Sequence, residues 1–145
     1  MKTIKTEITI NASKEKVWEV LMNHEKYQEW NPFIRKISGD DALGKQLHIE
    51  INQEGGKSMK FEPLVLVNEP QEEFRWRGKL FVEGIFDGEH YFQLKTIGEK
   101  QTQFIHGENF TGLFSGLLLQ MIGEDTQKGF EEMNVALKRR VEANY

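Results

Sequence analysis

Ile4, Thr6, Ile8 and Ile10 alternate with polar residues at the start of the chain. This is the period-two pattern of a half-buried strand. Ser13 is a plausible N-cap, and Val17, Trp18, Val20 and Leu21 give the helix after it an apolar face. The stretch EKYQEWNPFI, residues 25–34, then sets Tyr27, Trp30, Phe33 and Ile34 around Asn31-Pro32. Proline disfavours helix at the residue before it. The helical part is therefore predicted to end near Trp30 and a strand to begin around Phe33. Phe33 and Ile34 would fall on opposite faces of that strand, with only one of them inward.

Alternation returns at Leu47, Ile49 and Ile51, with His48 and Glu50 on the opposite face, and Glu54-Gly55-Gly56-Lys57 reads as a hairpin turn. Met59, Phe61, Val65 and Val67 predict one strand, with Pro63 marking a bulge or an edge. Asn68-Glu69-Pro70 turns the chain. Phe74, Trp76, Leu80 and Val82 then share a face while Arg75, Arg77 and Lys79 point away. Two further strands carry His90, Phe92 and Leu94, and Thr102, Phe104, His106, Glu108 and Phe110. From residue 113 to 142 the period becomes helical through Leu118, Ile122, Gly129, Met133, Leu137 and Val141. Hairpin-length connections imply an antiparallel meander, and the final helix is the one element long enough to cover its apolar face.

The chain has 145 residues, 38% of them hydrophobic and 29% charged, which fits a single domain with a real core spanning 1–145. A net charge of −4 without a basic run argues against nucleic acid and anionic membrane surfaces as partners. The lack of cysteine removes disulfides, thiol nucleophiles and thiolate metal sites. The longest apolar run, LFSGLLLQMI at 113–122, is too short for stable membrane insertion. MKTIKTEITI has no apolar signal region, so the expected location is cytoplasmic.

ITINASKEKVWEVLMNHEKYQEWNPFI, followed in order by FRWRG, FDGEHYFQL, TQFIHGENFTGL and GFEEMNVALKRRVE, resembles the START-like (SRPBCC) superfamily. The similarity covers the whole chain and points to the bacterial branch grouped with polyketide cyclase/dehydrase and lipid-transport proteins. It implies an α+β helix-grip fold: a curved antiparallel sheet of about six or seven strands wraps a long C-terminal helix, with two short helices between the first strands. It also implies a cavity between sheet and helix for a small hydrophobic molecule such as a lipid, polyketide or other aromatic metabolite. The family has no single catalytic motif, and fold alone does not name a reaction.

A register follows for the last two strands if Gly98-Glu99-Lys100 is a three-residue loop with Ile97 opposite Gln101. Leu94 then faces Phe104, Phe92 faces His106 and His90 faces Glu108, with Cβ atoms ~5 Å apart. His90, His106 and Glu108 become the polar end of an aromatic pocket. They are the candidates for acid–base catalysis in a cyclase or dehydratase. The plain alternative is that they satisfy one another inside the sheet. Two His and one Glu also make a facial metal set, but no second carboxylate or HExxH helix supports it, and no metal or cofactor is assigned.

The expected cavity of roughly 300–1,000 Å³ would take its floor from Trp76, Phe92, Phe104 and Phe110. Its roof would come from Leu118, Ile122, Phe130 and Met133, and Trp30, Phe33 and Phe114 complete the candidate ligand contacts. Plain packing of these stripes into a filled core is the competing reading. A further alternative is a protein-interaction module, which an exposed apolar patch around 113–119 would favour.

Overall fold

The computed structural model describes residues 2–52, 58–79, 87–113 and 115–143, and of Leu118 and Ile122 the backbone alone. The elements run β1 (Lys2–Ile10), α1 (Lys14–Met22), a 3₁₀ turn (His24–Lys26), α2 (Tyr27–Trp30), β2 (Ile34–Gly39), β3 (Leu47–Asn52), β4 (Ser58–Phe61), β5 (Leu64–Glu69), β6 (Glu73–Lys79), β7 (Asp87–Gly98), β8 (Gln101–Thr111) and α3 (Ser115–Glu142). The strands form a five-stranded antiparallel sheet, ordered β1-β8-β7-β6-β5, and a three-stranded one, β2-β3-β4. α3 lies chiefly along β1 and β8. This is the expected helix-grip architecture.

The described strands number eight because the strand expected over 59–67 splits at Glu62-Pro63. Proline has no N–H for a ladder, and its carbonyl instead accepts from Leu47 N at 2.9 Å. β4 stays with β3, while β5 joins β6 in the other sheet. The sheets are stitched where Val65 N donates to Lys45 O and Gly44 N donates to Val65 O, both at 2.9 Å. The turn expected at 54–57, with Leu80 and Val82, lies outside the described residues.

Ser13 caps α1 by accepting from Lys16 N at 3.3 Å. Val17, Val20 and Leu21 point into the core. At EKYQEWNPFI the structure departs from expectation. The buried Asn31 side chain accepts from Phe33 N at 2.9 Å and Ile34 N at 2.8 Å. This Asx-type turn swings Phe33 off the strand, so Phe33 and Ile34 both point inward. Phe33 lies across α3 at Gly129, where a Cβ would sit 2.5 Å from its ring.

The expected pairs Leu94–Phe104, Phe92–His106 and His90–Glu108 are all present. The turn that closes them differs. Gly98, not Ile97, pairs with Gln101, leaving Glu99-Lys100 as a two-residue loop and Ile97 as a bulge. The bulge absorbs the extra residue, so the register beyond it is unchanged.

Candidate functional site

A cavity of about 420 Å³ lies between β3–β4, the concave face of β6–β8 and the middle of α3. Its walls are mostly apolar: Phe33, Ile49, Ile51, Met59, Phe61, Trp76 and Phe110. The exposed residues Asn52, Lys79, Asp125, Lys128 and Glu132 line its edge. β4 departs from β5 at Pro63, and among the described residues no strand bridges the two sheets there.

One end of the cavity is polar. His90 and Glu108 face it from β7 and β8. His90 Nδ1 lies 3.5 Å from Glu108 Oε1. Gly88 makes room for the carboxyl group, since a Cβ there would collide with Glu108 Oε2. Behind His90 a file of buried polar groups runs away from the cavity. His90 Nε2 meets His106 Nε2 at 2.7 Å, and His106 Nδ1 meets Asn134 Oδ1 at 2.9 Å. Asn134 Nδ2 donates to Thr6 Oγ1 at 2.8 Å, and Thr6 donates to the His106 carbonyl at 2.9 Å.

The last bond assigns the protons in this file, which rest on partner chemistry rather than observed hydrogens. A carbonyl only accepts, so Thr6 spends its hydrogen there and must accept from Asn134. The Asn134 oxygen therefore faces His106, whose Nδ1 carries the hydrogen. A backbone hydrogen bond at Phe130 favours the same donor role. His106 Nε2 is then an acceptor, His90 Nε2 is a donor, and His90 Nδ1 is left with a lone pair.

Burial sets the charges. Trp76 stacks on His90 with centroids 4.6 Å apart, and Phe130 stacks on His106 at 4.1 Å. Removed from water among rings, His90 titrates only at about 3. His106 is also held well below its ordinary value by burial and by the neighbouring His90. Burial pushes Glu108 up to about 8, although a fifth of its side chain remains accessible, on the cavity it lines. At neutral pH the end wall is thus a carboxylic acid beside a neutral imidazole.

Of the residues singled out from the sequence, Phe33, Trp76, His90, Glu108 and Phe110 stand on the cavity wall. Phe92, Phe104, His106, Phe130 and Met133 are enclosed one layer beneath it. Trp30 is half-buried in a separate crevice with Glu19, Asn23, Lys26 and Arg140. Phe114 and the side chains of Leu118 and Ile122 lie outside the described residues. The catalytic candidates thus divide: His90 and Glu108 reach the void, while His106 lies behind them.

Among the described residues no three His, Asp or Glu side chains converge as a metal would require. The β3–β4 wall, Ile49, Ile51, Met59 and Phe61, was legible as an apolar stripe but not as part of the site. Thr6 and Asn134 carried a signal too: each is a polar residue inside an apolar stripe, Thr6 among isoleucines and Asn134 beside Met133 and Leu137. Leu113, Leu117 and Met121, four apart, are exposed in the segment where an interaction patch would lie.

Among known proteins, the family described as polyketide cyclase / dehydrase and lipid transport matches residues 1–142. No curated protein sequence matches the chain significantly. Solved structures share its fold at low identity. The Zhui aromatase/cyclase from Streptomyces sp. R1128 superposes with a TM-score of 0.78 at 15% identity, over 97% of this chain and 93% of that one. A START superfamily protein from Mycobacterium smegmatis gives 0.72 at 20% identity, over 99% of both chains. TTHA0849 from Thermus thermophilus gives 0.75 at 17% identity, over 98% of both.

Proposed function

The chain belongs to the polyketide cyclase/dehydrase and lipid transport family, and from that premise we propose that it holds a small, mostly apolar molecule in the cavity between its sheets and α3. The observation that carries this reading is the combination of about 420 Å³ of space with aromatic and aliphatic walls and one polar end. A void of this size lies within the range of small-molecule sites, where a few polar groups orient an otherwise apolar occupant. Sequestration or transport needs no more than this.

A thermal-shift and calorimetric screen against uncharged polycyclic aromatics, flavonoids, sterols and fatty acids tests it. Binding should raise Tm in at least one class. Absence of binding in every class would overturn the reading.

A second reading, a cyclase or dehydratase, draws on one observation. An acid that keeps its proton to about pH 8 and lines a cavity is poised as a general acid. It predicts dehydration of a bound β-hydroxy ketone that Glu108→Gln abolishes. Pure binding predicts that the compound is recovered unchanged from the wild-type protein.

A further inference from the structure

We propose that the molecule in the cavity carries a hydroxyl or N–H at its buried end and donates it to Glu108 Oε2, so that the site takes alcohols, phenols or N–H compounds in preference to their ethers and ketones. The proposal rests on the ligand-binding reading above and adds the chemical class of the occupant.

The file from Thr6 through Asn134 and His106 leaves His90 Nδ1 with a lone pair and no hydrogen. That atom needs a donor, because a buried polar group without one is costly. Around the His90 ring stand Trp76, Phe92, Phe130 and His106. His106 is already engaged through Nε2, and the other three offer ring faces and edges. Among the described residues the remaining polar neighbour is Glu108, at 3.5 Å. A neutral carboxyl has one hydrogen, and Oε1, turned toward His90 Nδ1 at 3.5 Å, longer than a formed hydrogen bond, is the oxygen placed to give it on a small approach. Oε2 is then a carbonyl-type oxygen, held over Gly88 on the cavity wall. Such an oxygen accepts and cannot donate. An occupant with a hydroxyl or N–H at this end completes it. An ether or ketone sets its own lone pairs against it and leaves both sides unpaired, the condition under which polar sites discriminate most.

The rival arrangement is a carboxylate facing an imidazolium. It has the same net charge, but it places two charges in an enclosure of aromatic rings, where burial opposes both.

The test uses 2-naphthol and 2-methoxynaphthalene, with the hydroxy- and methoxyanthracene pair alongside, by calorimetry at pH 7 on wild type, Glu108→Gln and Glu108→Leu. Wild type should prefer each hydroxyl compound about tenfold, the value of one hydrogen bond made or lost. Glu108→Gln should keep that preference, because its NH₂ serves His90 and its C=O faces the cavity. Glu108→Leu should bind both members of each pair equally. Equal affinities in wild type overturn the proposal while leaving ligand binding intact. Loss of the preference in Glu108→Gln overturns it in favour of the ion pair. Failure of all four probes to bind wild type overturns this proposal, while the ligand-binding reading stands or falls on the wider screen.

Discussion

Replacing Asn134 with Leu tests the buried file at its centre. Asn134 is 2% exposed and serves two buried groups. It accepts from His106 Nδ1 at 2.9 Å and supplies the hydrogen received by Thr6 at 2.8 Å. Leucine has nearly the same volume, so no cavity forms and the packing contribution is small. Two buried polar atoms lose their partner. Each such loss costs about 1–3 kcal/mol, and since Thr6 keeps its bond to the His106 carbonyl and His106 its bond to the Phe130 backbone, the lower half of the range applies to both. The expected destabilisation is about 2–4 kcal/mol.

Urea unfolding followed by far-UV circular dichroism reads this directly, with an unchanged slope showing that the denatured state is unaltered. Thr6→Val and the double variant complete a cycle, whose coupling should be about 1 kcal/mol because the two residues share one hydrogen bond. A loss below about 0.5 kcal/mol for Asn134→Leu would refute the hydrogen assignment, since that is the scale of an ordinary exposed substitution.

Stability should peak near pH 6.5. His90, neutral in the fold down to about pH 3, and His106, lowered by burial, both take up a proton on unfolding below 6.5. Acidification therefore favours the unfolded chain. Glu108 acts in the opposite sense. Its folded value of about 8 lies above the ordinary 4.5, so its contribution is greatest at low pH and is lost as pH rises toward 8. Between pH 6.5 and 8 this removes about 2 kcal/mol, at 1.4 kcal/mol per unit. Glu108→Gln should flatten that alkaline limb in a chemical-denaturation series, and a limb of unchanged slope would contradict the assignment. Gly129→Ala places a methyl against the Phe33 ring and should cost about 1–3 kcal/mol by overpacking. The same change should weaken ligand binding, because Phe33 lines the cavity and can yield into it. Ile51→Trp should fill the cavity and abolish probe binding while Tm stays within a few degrees, Ile51 being only partly buried.

Much of this protein was readable from residue order alone, because the signals were periodic. Alternating isoleucines, a Ser cap, a proline break and a thirty-residue helical stripe each reflect local geometry, and local geometry depends on near neighbours. The His90–Glu108 pairing was also legible, because a tight hairpin transmits register along both strands, even with Ile97 bulged. Three features were not. Both Phe33 and Ile34 turn inward because the Asn31 side chain takes over two backbone N–H groups, a choice that burial enforces and alternation cannot express. The site wall includes Ile49, Ile51, Met59 and Phe61 because the chain divides into two sheets at Pro63, and sheet partition is a matter of long-range pairing. The charge state of the end wall arises only when Trp76, Phe92 and Phe130 enclose His90 and when Asn134, from the far end of the chain, reaches His106. Residue types and spacings determined which groups were present on one face. Dehydration by packing, which involves every element at once, decided which of them carry hydrogens and which carry charge.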